Sequence, residues 1–250
     1  MIKIAYASDI HLDCLPKAEY DNRINLINQI EADYLVLAGD ISNYRDYKFH
    51  FSQMKPKVKK IIYVLGNHEF YRCDLLESWF CDEEISHVHL LEIGNPYITD
   101  EVSFVGDTLW TDVPKSMEYD IFNFMNDYRM IRYNTKCITV DDTNHFHNTQ
   151  KTWLLNNDLP NVGDSKVVMV SHHSPSFKGV SAKYVGHRAN HAFHSDVLDE
   201  FLNYEFPIVK WIHGHTHDKL NYNYGGVNVL CNPWGYHGEV VDYKVEYFEI

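Results

Sequence analysis

The sequence of 250 residues predicts an α/β protein with mixed β-sheets and covering helices. Strand-like and helix-like patterns alternate early in the chain, which is typical of crossover connections between parallel strands. The chain after His217 is strand-like and rich in hairpins, which a purely parallel, doubly wound sheet does not explain. Because no Pro-, Ser- or Gly-rich linker interrupts the sequence, we expect a single domain over 1–250.

Five short apolar runs predict buried strands, and each of them ends in polar side chains. In sheets with crossover connections, ligands bind at the carboxyl ends of the strands, so we expect these polar groups to meet. At the first run, an extended backbone would point Asp9 and His11 to the same side. The runs and their endings are 2–8 before Asp9-Ile10-His11, 34–38 before Gly39-Asp40, 61–65 before Gly66-Asn67-His68-Glu69, 166–170 before Ser171-His172-His173, and 208–212 before His213-Gly214-His215-Thr216-His217.

The remaining elements follow from helical spacing, from short apolar runs and from turn residues. A turn-rich loop over 174–194 is long for a compact domain, and we therefore expect it to be functional. Ser195-Asp196 is a candidate N-cap for the helix after it, and Gly225-Gly226 predicts a tight hairpin turn. The predicted helices are 20–31, 44–54, 72–84, 117–131, 144–157 and 196–204, and the further strands are 87–91, 101–106, 220–224, 227–230 and 240–248.

Composition excludes several classes of protein. The formal net charge of -13 disfavours broad, sequence-independent binding to a nucleic-acid backbone. The five cysteines include no CxxC pair, which fits a reducing compartment and argues against a disulfide scaffold. No apolar run approaches the ~18–20 residues of a membrane span, and the N-terminus lacks the features of a secretory signal. We therefore expect a cytoplasmic protein that is not embedded in a membrane.

The polar residues at the strand ends form a set of metal ligands without a thiolate. Carboxylates, imidazoles and one amide oxygen suit Mn²⁺, Fe, Zn²⁺, Co²⁺ or Ni²⁺. The set is too large for one tetrahedral ion, but it suffices for two ions that share a carboxylate. Two metals roughly 3.5–4 Å apart can clamp a phosphoryl group and activate a water between them. The residues are Asp9, His11, Asp40, Asn67, His68, His172, His215 and His217.

These five blocks resemble, in sequence order and over nearly the whole chain, those of the calcineurin-like metallophosphoesterase superfamily. The resemblance implies a four-layer α/β/β/α sandwich with two mixed sheets and a dinuclear centre at the strand tips, and we expect Mn²⁺ as its first choice of ion. It implies that Asp40 bridges the metals and that His68 contacts the phosphate and protonates the leaving group. It assigns Asp9, His11 and His217 to one metal, and Asn67, His172 and His215 to the other.

Some residue roles remain open at the level of sequence. Spacing does not separate His172 from His173, and the family order favours His172 as the ligand, which leaves His173 to contact substrate or to line the rim. Arg188, in the loop that follows, is a candidate phosphate contact. Arg129 is a weaker candidate. Glu69 is expected to support its loop instead of binding metal.

The resemblance implies a phosphoester hydrolase, and we expect a small phosphodiester or nucleotide-like substrate and no extended nucleic acid. The second block, 39–45, lacks the Asp-Arg-Gly element usual in Ser/Thr protein phosphatases, which disfavours that activity. A phosphomonoesterase is the main alternative. A mononuclear hydrolase would leave several ligands unexplained, and a non-catalytic scaffold usually loses ligands that are all present here.

Overall fold

Two β-sheets form the centre of the protein. The computed structural model describes residues 1–76 and 85–250. In the first sheet the described strands are parallel except for the last one of the chain, which lies antiparallel at the edge. Their spatial order is β13 (Glu246–Glu249), β1 (Lys3–Ala7), β2 (Tyr34–Ala38), β3 (Lys60–Val64) and β4 (Val88–Leu90).

The second sheet is parallel at its centre and antiparallel at both edges. A separate short hairpin joins β7 (Arg132–Tyr133) to β8 (Lys136–Cys137). The spatial order of the second sheet is β11 (Leu220–Tyr224), β12 (Val227–Cys231), β10 (Ile208–His213), β9 (Lys166–Ser171), β6 (Val102–Asp107) and β5 (Tyr97–Ile98).

Helices cover the outer faces of the sheets. The longest one begins at a capping box, in which the Thr139 hydroxyl accepts from the Asp142 N–H and the Asp142 carboxylate accepts from Thr139. Among the described residues, no helix is long and apolar enough to cross a bilayer. The described α-helices are α1 (Lys17–Asn28), α2 (Tyr47–Gln53), α3 (Glu118–Phe124), α4 (Asp127–Met130), α5 (Val140–Trp153) and α6 (Leu198–Leu202).

The side-chain alternation of the strands divides the core into layers. In β1, Ile4 packs between the two sheets, whereas Ala5 packs outward against the helices. This arrangement is a four-layer α/β/β/α sandwich, as expected. Between the sheets lie Val36, Ile62, Phe104, Val168 and Ile212; under α1 and α2 lie Leu35, Ile61, Ile24, Ile27 and Phe51; under α5 and α6 lie Val105, Met169, Trp211, Leu154 and Phe201.

The predicted helix 117–131 is wrong as one element, because the chain breaks at Met125, which has extended backbone (φ -83°, ψ 138°). Ile121 and Tyr128, on either side of the break, enter the same core. The helical spacing of apolar residues therefore does not reveal the break between the two helices.

The predicted cap of the last helix is also wrong. The N-cap position of α6 is Val197, while the Asp196 carboxylate accepts from the Phe177 N–H and the Ser176 hydroxyl. Asp196 thus stabilises the loop before the helix.

Several other boundaries differ from the predictions. Residues 72–76 form turns and one bridge where a helix 72–84 was expected, and 77–84 lie outside the described residues. The strand expected over 240–248 is confined to β13, because 240–245 are irregular. The sequence did not indicate β5 or the β7–β8 hairpin, since two-residue strands carry too little pattern to be recognised.

Candidate metal centre

The polar residues that follow five parallel strands meet at one edge of the sandwich. The loops after β1 and β2 are joined by hydrogen bonds from Asp9 N to Gly39 O (3.0 Å) and from His11 N to Asp40 O (2.9 Å). The second sheet joins them through its own loops, in which Gly214 N donates to His172 O (2.9 Å). The loops of the two sheets are in contact, because His215 N donates to Asp9 Oδ1 (2.9 Å).

The backbone at this edge is left-handed at several non-glycine residues. Asp9 (φ 52°) and His11 (φ 47°) are not extended, so the expectation of an extended Asp9-Ile10-His11 segment is wrong. Asp40, His215 and His217 have similarly positive φ angles, of 55°, 67° and 50°. Each such residue costs about 1–2 kcal/mol, and residues of this kind tend to cluster at functional sites.

One set of ligand atoms comes from the ends of β1 and β10. His11 Nε2 lies 3.2 Å from His217 Nε2, and His217 Nε2 lies 3.5 Å from Asp9 Oδ1. Asp40 Oδ2 is 3.9 Å from His11 Nε2. These side chains are buried, apart from a fifth of His217.

A second set of ligand atoms surrounds His172. Its Nε2 atom lies 3.0 Å from Asn67 Oδ1, 3.1 Å from His215 Nδ1 and 3.4 Å from Asp40 Oδ1. Asp40 thus directs one carboxylate oxygen to each set. The structure brings together all seven residues that the resemblance assigns to the two metals, and His172, not His173, is the member that faces them.

The spacing of these atoms fits divalent cations. Ligand atoms about 2.1 Å from one ion lie about 3.0 Å apart at right angles and about 3.4 Å apart in a tetrahedron. The contacts of His172 Nε2 with Asn67, His215 and Asp40 span 3.0–3.4 Å. Those between His11, His217 and Asp9 span 3.2–3.5 Å. Each set therefore has the arrangement of donors that converge on a common cation.

The buried carboxylates of the candidate metal centre favour positive charge beside them. Burial opposes ionisation of Asp40, yet His172 and His68 hold the pKa of its carboxyl well below the usual range. Burial likewise lowers the pKa of His172, but the Asp40 carboxylate outweighs it and raises that pKa to about 10. Asp9 and Glu239 raise the pKa of His217 to about 9 against the same effect of burial. Without metal, protonated imidazoles compensate the buried carboxylates, and cations could replace these protons.

Glu69 fixes the loops after β2 and β3. Its buried carboxylate accepts from the N–H groups of Gly66 (2.7 Å), Asp40 (3.0 Å) and Ile41 (2.7 Å), and from the Tyr63 hydroxyl (2.6 Å). A side chain at Gly66 would clash, because its Cβ would lie 2.1 Å from Asp40 Oδ1. Glu69 therefore lies behind Asp40 and orients it.

Asp127 contacts the candidate ligand Asn67, and no sequence pattern indicated it. Its Oδ1 atom accepts from Asn67 Nδ2 and from the Tyr71 hydroxyl, both at 2.8 Å. The amide of Asn67 is thereby oriented so that its oxygen faces His172. Such outer contacts fix the orientation of metal ligands. The break between α3 and α4 brings Asp127 to this position, and no sequence pattern marked that break.

The C-terminal segment supplies two further contacts that the analysis missed. Glu239 Oε2 lies 2.6 Å from His217 Nδ1, so that the other nitrogen of this ring faces the ligand set. Tyr236 stacks on His11 (4.4 Å between ring centroids), and its hydroxyl lies 2.9 Å from His68 Nε2. These residues lie beyond the last of the five sequence blocks, which is why the motif did not indicate them.

His68 lies at the mouth of the centre. Its Nε2 atom is 3.9 Å from Asp40 Oδ2, and its ring stacks on Tyr71 (4.2 Å between centroids). The side chain is 14 % exposed, whereas Asp40 is 2 % exposed. An imidazole at this position can contact a group that enters from solvent.

The three candidate substrate contacts occupy different environments. His173 is buried, with its ring on Trp110 and on His215 (4.3 Å). Arg188 forms an ion pair with Asp120 and donates to a backbone carbonyl. Arg129 donates to the carbonyls of Met125 and Asn123, at the side of a separate depression.

The loop over 174–194 forms one wall of a cavity next to the ligands. The cavity has a volume of about 340 Å³ and extends to His215 and His217. Other residues that line the cavity carry aromatic rings, and one of them is acidic. Among them are Phe124, Tyr184, His187, Phe193 and Asp218.

Comparison with known proteins identifies the family. Residues 2–219 match the family model described as calcineurin-like phosphoesterase. The chain belongs to this family. As a calcineurin-like phosphoesterase it is a metal-dependent hydrolase of phosphoester bonds, in agreement with the paired ligand sets at its strand ends.

One viral protein and two solved structures illustrate what this chain resembles. An uncharacterized protein of Acanthamoeba polyphaga mimivirus is 32 % identical over 263 residues, covering 94 % of this chain and 92 % of the relative. The phosphopantetheinyl hydrolase of Mycobacterium tuberculosis has a similar fold (TM-score 0.70, 16 % identity, 95 % of this chain and 90 % of that one). A dimetal phosphatase from Danio rerio also shares the fold (TM-score 0.51, 13 % identity, 92 % and 86 %).

Proposed function

We propose that this phosphoesterase binds two divalent cations and hydrolyses small, nucleotide-like phosphodiesters. The observation that carries the proposal is the position of Asp40, whose two oxygens face two separate ligand sets. One cation would lie among Asp9, His11 and His217. The other would lie among Asn67, His172 and His215, beside Asp40. The Danio rerio protein of similar fold is described as a dimetal phosphatase, which supports a pair of cations here.

The residues of the site would each have a separate role in the reaction. Two cations would neutralise the phosphate and activate a water between them. Asp40 would hold the cations at a fixed separation, and Glu69 would keep Asp40 in place by accepting from the backbone N–H groups of Asp40 and Ile41. His68 would donate a proton to the leaving oxygen, since its side chain is partly exposed next to Asp40 and an imidazole can carry a proton near neutral pH.

Mn²⁺ is the first cation to test, because the carboxylate and amide oxygens suit it, and Fe, Zn²⁺, Co²⁺ and Ni²⁺ are the alternatives, since the set also contains imidazoles. We place the protein in the cytoplasm. Among its described cysteines none forms a disulfide, which is consistent with a reducing compartment.

The cavity beside the ligands supports a small substrate. At about 340 Å³ it lies at the lower end of the range for small-molecule sites. The rings of Phe124, Tyr184 and Phe193 could stack on a nucleobase or another planar group. A long polymer would need an extended basic groove, which the net charge of -13 disfavours.

The test compares hydrolysis of a bis-aryl phosphate with that of its monoaryl counterpart, using protein stripped of metal and reloaded with Mn²⁺. A faster diester rate supports the proposal, and a faster monoester rate assigns a phosphomonoesterase instead. The same samples give the number of metal ions per chain. A value near one at saturation would refute the dinuclear centre, and two metals without turnover of either compound would contradict the proposed reaction.

A further inference from the structure

A second surface depression lies beside the metal centre and contains most of the arginines of the chain. Its volume is about 860 Å³. The sequence has six arginines, and four of them line this one depression. In a chain with a net charge of -13, such a concentration of guanidinium groups is unexpected for a surface without a ligand. The four are Arg45, Arg72, Arg129 and Arg132.

These arginines differ from the other two in how their charges are compensated. Arg23 pairs with Glu19, and Arg188 pairs with Asp120. Within 1–76 and 85–250, by contrast, no ion pair involves Arg45, Arg72 or Arg132.

The one acidic residue among the described lining residues is already engaged by the backbone. The carboxylate of Asp74 accepts from the N–H groups of Leu76 (3.0 Å), Asn134 (3.2 Å) and Thr135 (2.6 Å). Arg129 uses two of its N–H groups on backbone carbonyls, and a guanidinium has five. Arg132 also attracts this carboxylate, but the described part of the depression is lined by four guanidinium groups and one carboxylate, so it keeps an excess of positive charge and of free donors.

The floor of the depression is built by paired backbone segments. Arg72 N donates to Met130 O (2.8 Å), Arg132 N to Cys73 O (3.1 Å), and Leu75 N to Arg132 O (2.8 Å). The loop that carries Arg45 is joined to the same region, because Tyr44 N donates to Glu69 O (3.0 Å). Arginines from three distant parts of the sequence are thus fixed around one space.

This floor is continuous with the metal centre. Tyr71, which stacks on His68 and shares Asp127 with Asn67, directly precedes Arg72. Arg129 is two residues beyond Asp127. Four peptide units separate His68 from Arg72, so their α-carbons lie within about 15 Å of each other. One small molecule could reach both places.

We propose that the arginine depression is a second phosphate-binding subsite, which holds a phosphate group of the substrate other than the one cleaved at the metals. This inference rests on the proposed function. The planar fork of a guanidinium binds phosphate through two parallel hydrogen bonds. The substrate class is accordingly a small organic molecule with at least two phosphate groups.

The kinetic test uses two substrates that differ by one phosphate: the p-nitrophenyl ester of thymidine 5′-phosphate and its 3′-phosphorylated counterpart. In Arg45→Gln/Arg132→Gln we expect KM for the doubly phosphorylated ester to rise about tenfold or more, with little change for the other ester. The Arg45→Lys/Arg132→Lys variant should recover part of the loss, since it keeps the charge but not the fork. Equal changes in KM for both esters would overturn the proposal.

A binding test separates the subsite from the reaction. Inorganic tripolyphosphate is titrated calorimetrically into metal-free wild type, into the Arg→Gln double variant, and into Lys57→Gln/Lys219→Gln, which removes two exposed charges elsewhere. The proposal predicts weaker binding in the arginine variant alone. Should the wild type hydrolyse neither ester, the proposed function fails, and this titration still decides the subsite. Equal binding by all three proteins, or none by the wild type at millimolar concentration, would overturn it.

Discussion

We expect Asp40 to be required for both metal ions of the candidate centre. Its oxygens face His172 on one side and His11 on the other. We expect Asp40→Ala to lose both cations and more than about 100-fold in kcat, beyond the effect of a typical outer contact. Metal content by mass spectrometry and kcat provide the measurement, with the exposed Asp164→Ala as control. Two bound ions and normal turnover in the Asp40 variant would refute the bridging role.

His68 should affect the reaction without affecting metal content. We expect His68→Gln to keep both cations and to lose about 10²–10⁴-fold in kcat for a substrate with an alkoxide leaving group. The loss should be much smaller for p-nitrophenyl esters, because p-nitrophenolate leaves without a proton. An equal loss for both leaving groups would exclude the role of proton donor. Tyr236→Phe is the control that removes only the hydroxyl contact of His68.

The variant Asp127→Ala tests whether the orientation of Asn67 affects the affinity for metal. Asp127→Ala leaves Asn67 in place but removes the acceptor of its N–H, so the amide can rotate. We expect the affinity for one of the two cations to fall about 10–100-fold. Competition with a chelator measures this affinity. Tyr71→Phe removes only the other hydrogen bond to Asp127 and should have a smaller effect. Unchanged affinity in Asp127→Ala would contradict a positioning role.

At the level of the elements, the parallel pairing of β6 with β9 requires a glycine. A Cβ on Gly106 would lie 1.9 Å from Val170 O. We therefore expect Gly106→Ala to lower the free energy of unfolding by about 3 kcal/mol or more, as a backbone shift in a packed sheet would require. Gly186→Ala is the control, since nothing lies within 4 Å of its Cβ and only its positive φ (79°) opposes the change, by about 1 kcal/mol. Urea unfolding distinguishes the two, and similar losses would contradict this account.

The elements that the sequence predicted well are those whose pattern is local. Apolar runs such as 61–65 predicted the strands, and the residue types after them indicated the side chains that meet at the candidate metal centre. The contacts of Asp127 and Glu239 could not be predicted in this way. Asp127 reaches Asn67 only because the chain breaks between α3 and α4, and Glu239 reaches His217 from an irregular segment. Both depend on tertiary packing that periodicity does not encode.

The conformation of the ligand loops was also beyond prediction. Asp9 and His11 meet the same ligand set from a left-handed backbone, a conformation that is uncommon for residues other than glycine. The hydrogen bonds of both residues to the loop after β2 stabilise this conformation, and that loop is distant in sequence. The arginine depression was likewise not predictable, because three segments that are distant in sequence contribute to it.

At the scale of the whole molecule, the candidate metal centre makes the stability of the fold depend on metal binding and on pH. The pKa of His172, raised to about 10 by Asp40 against the effect of burial, lies above the ordinary value of 6.5. In metal-free protein this pair therefore stabilises the fold fully below about pH 6.5, and the contribution is lost as pH rises through 10. Binding of a cation requires the neutral imidazole, so protons compete with metal and metal affinity increases with pH.

We therefore expect Mn²⁺ to raise the melting temperature of metal-free protein, and to raise it more at pH 8 than at pH 6.5. A hundredfold excess over Kd at one site adds about 2.7 kcal/mol, which corresponds to roughly 5–10 °C for a chain of this size. Calorimetry at matched ionic strength measures the shift, and Ca²⁺ controls for charge alone, because it prefers oxygen ligands. The same shift at both pH values would contradict displacement of protons from His172, whereas an equal shift with Ca²⁺ would show that the imidazoles do not select the cation.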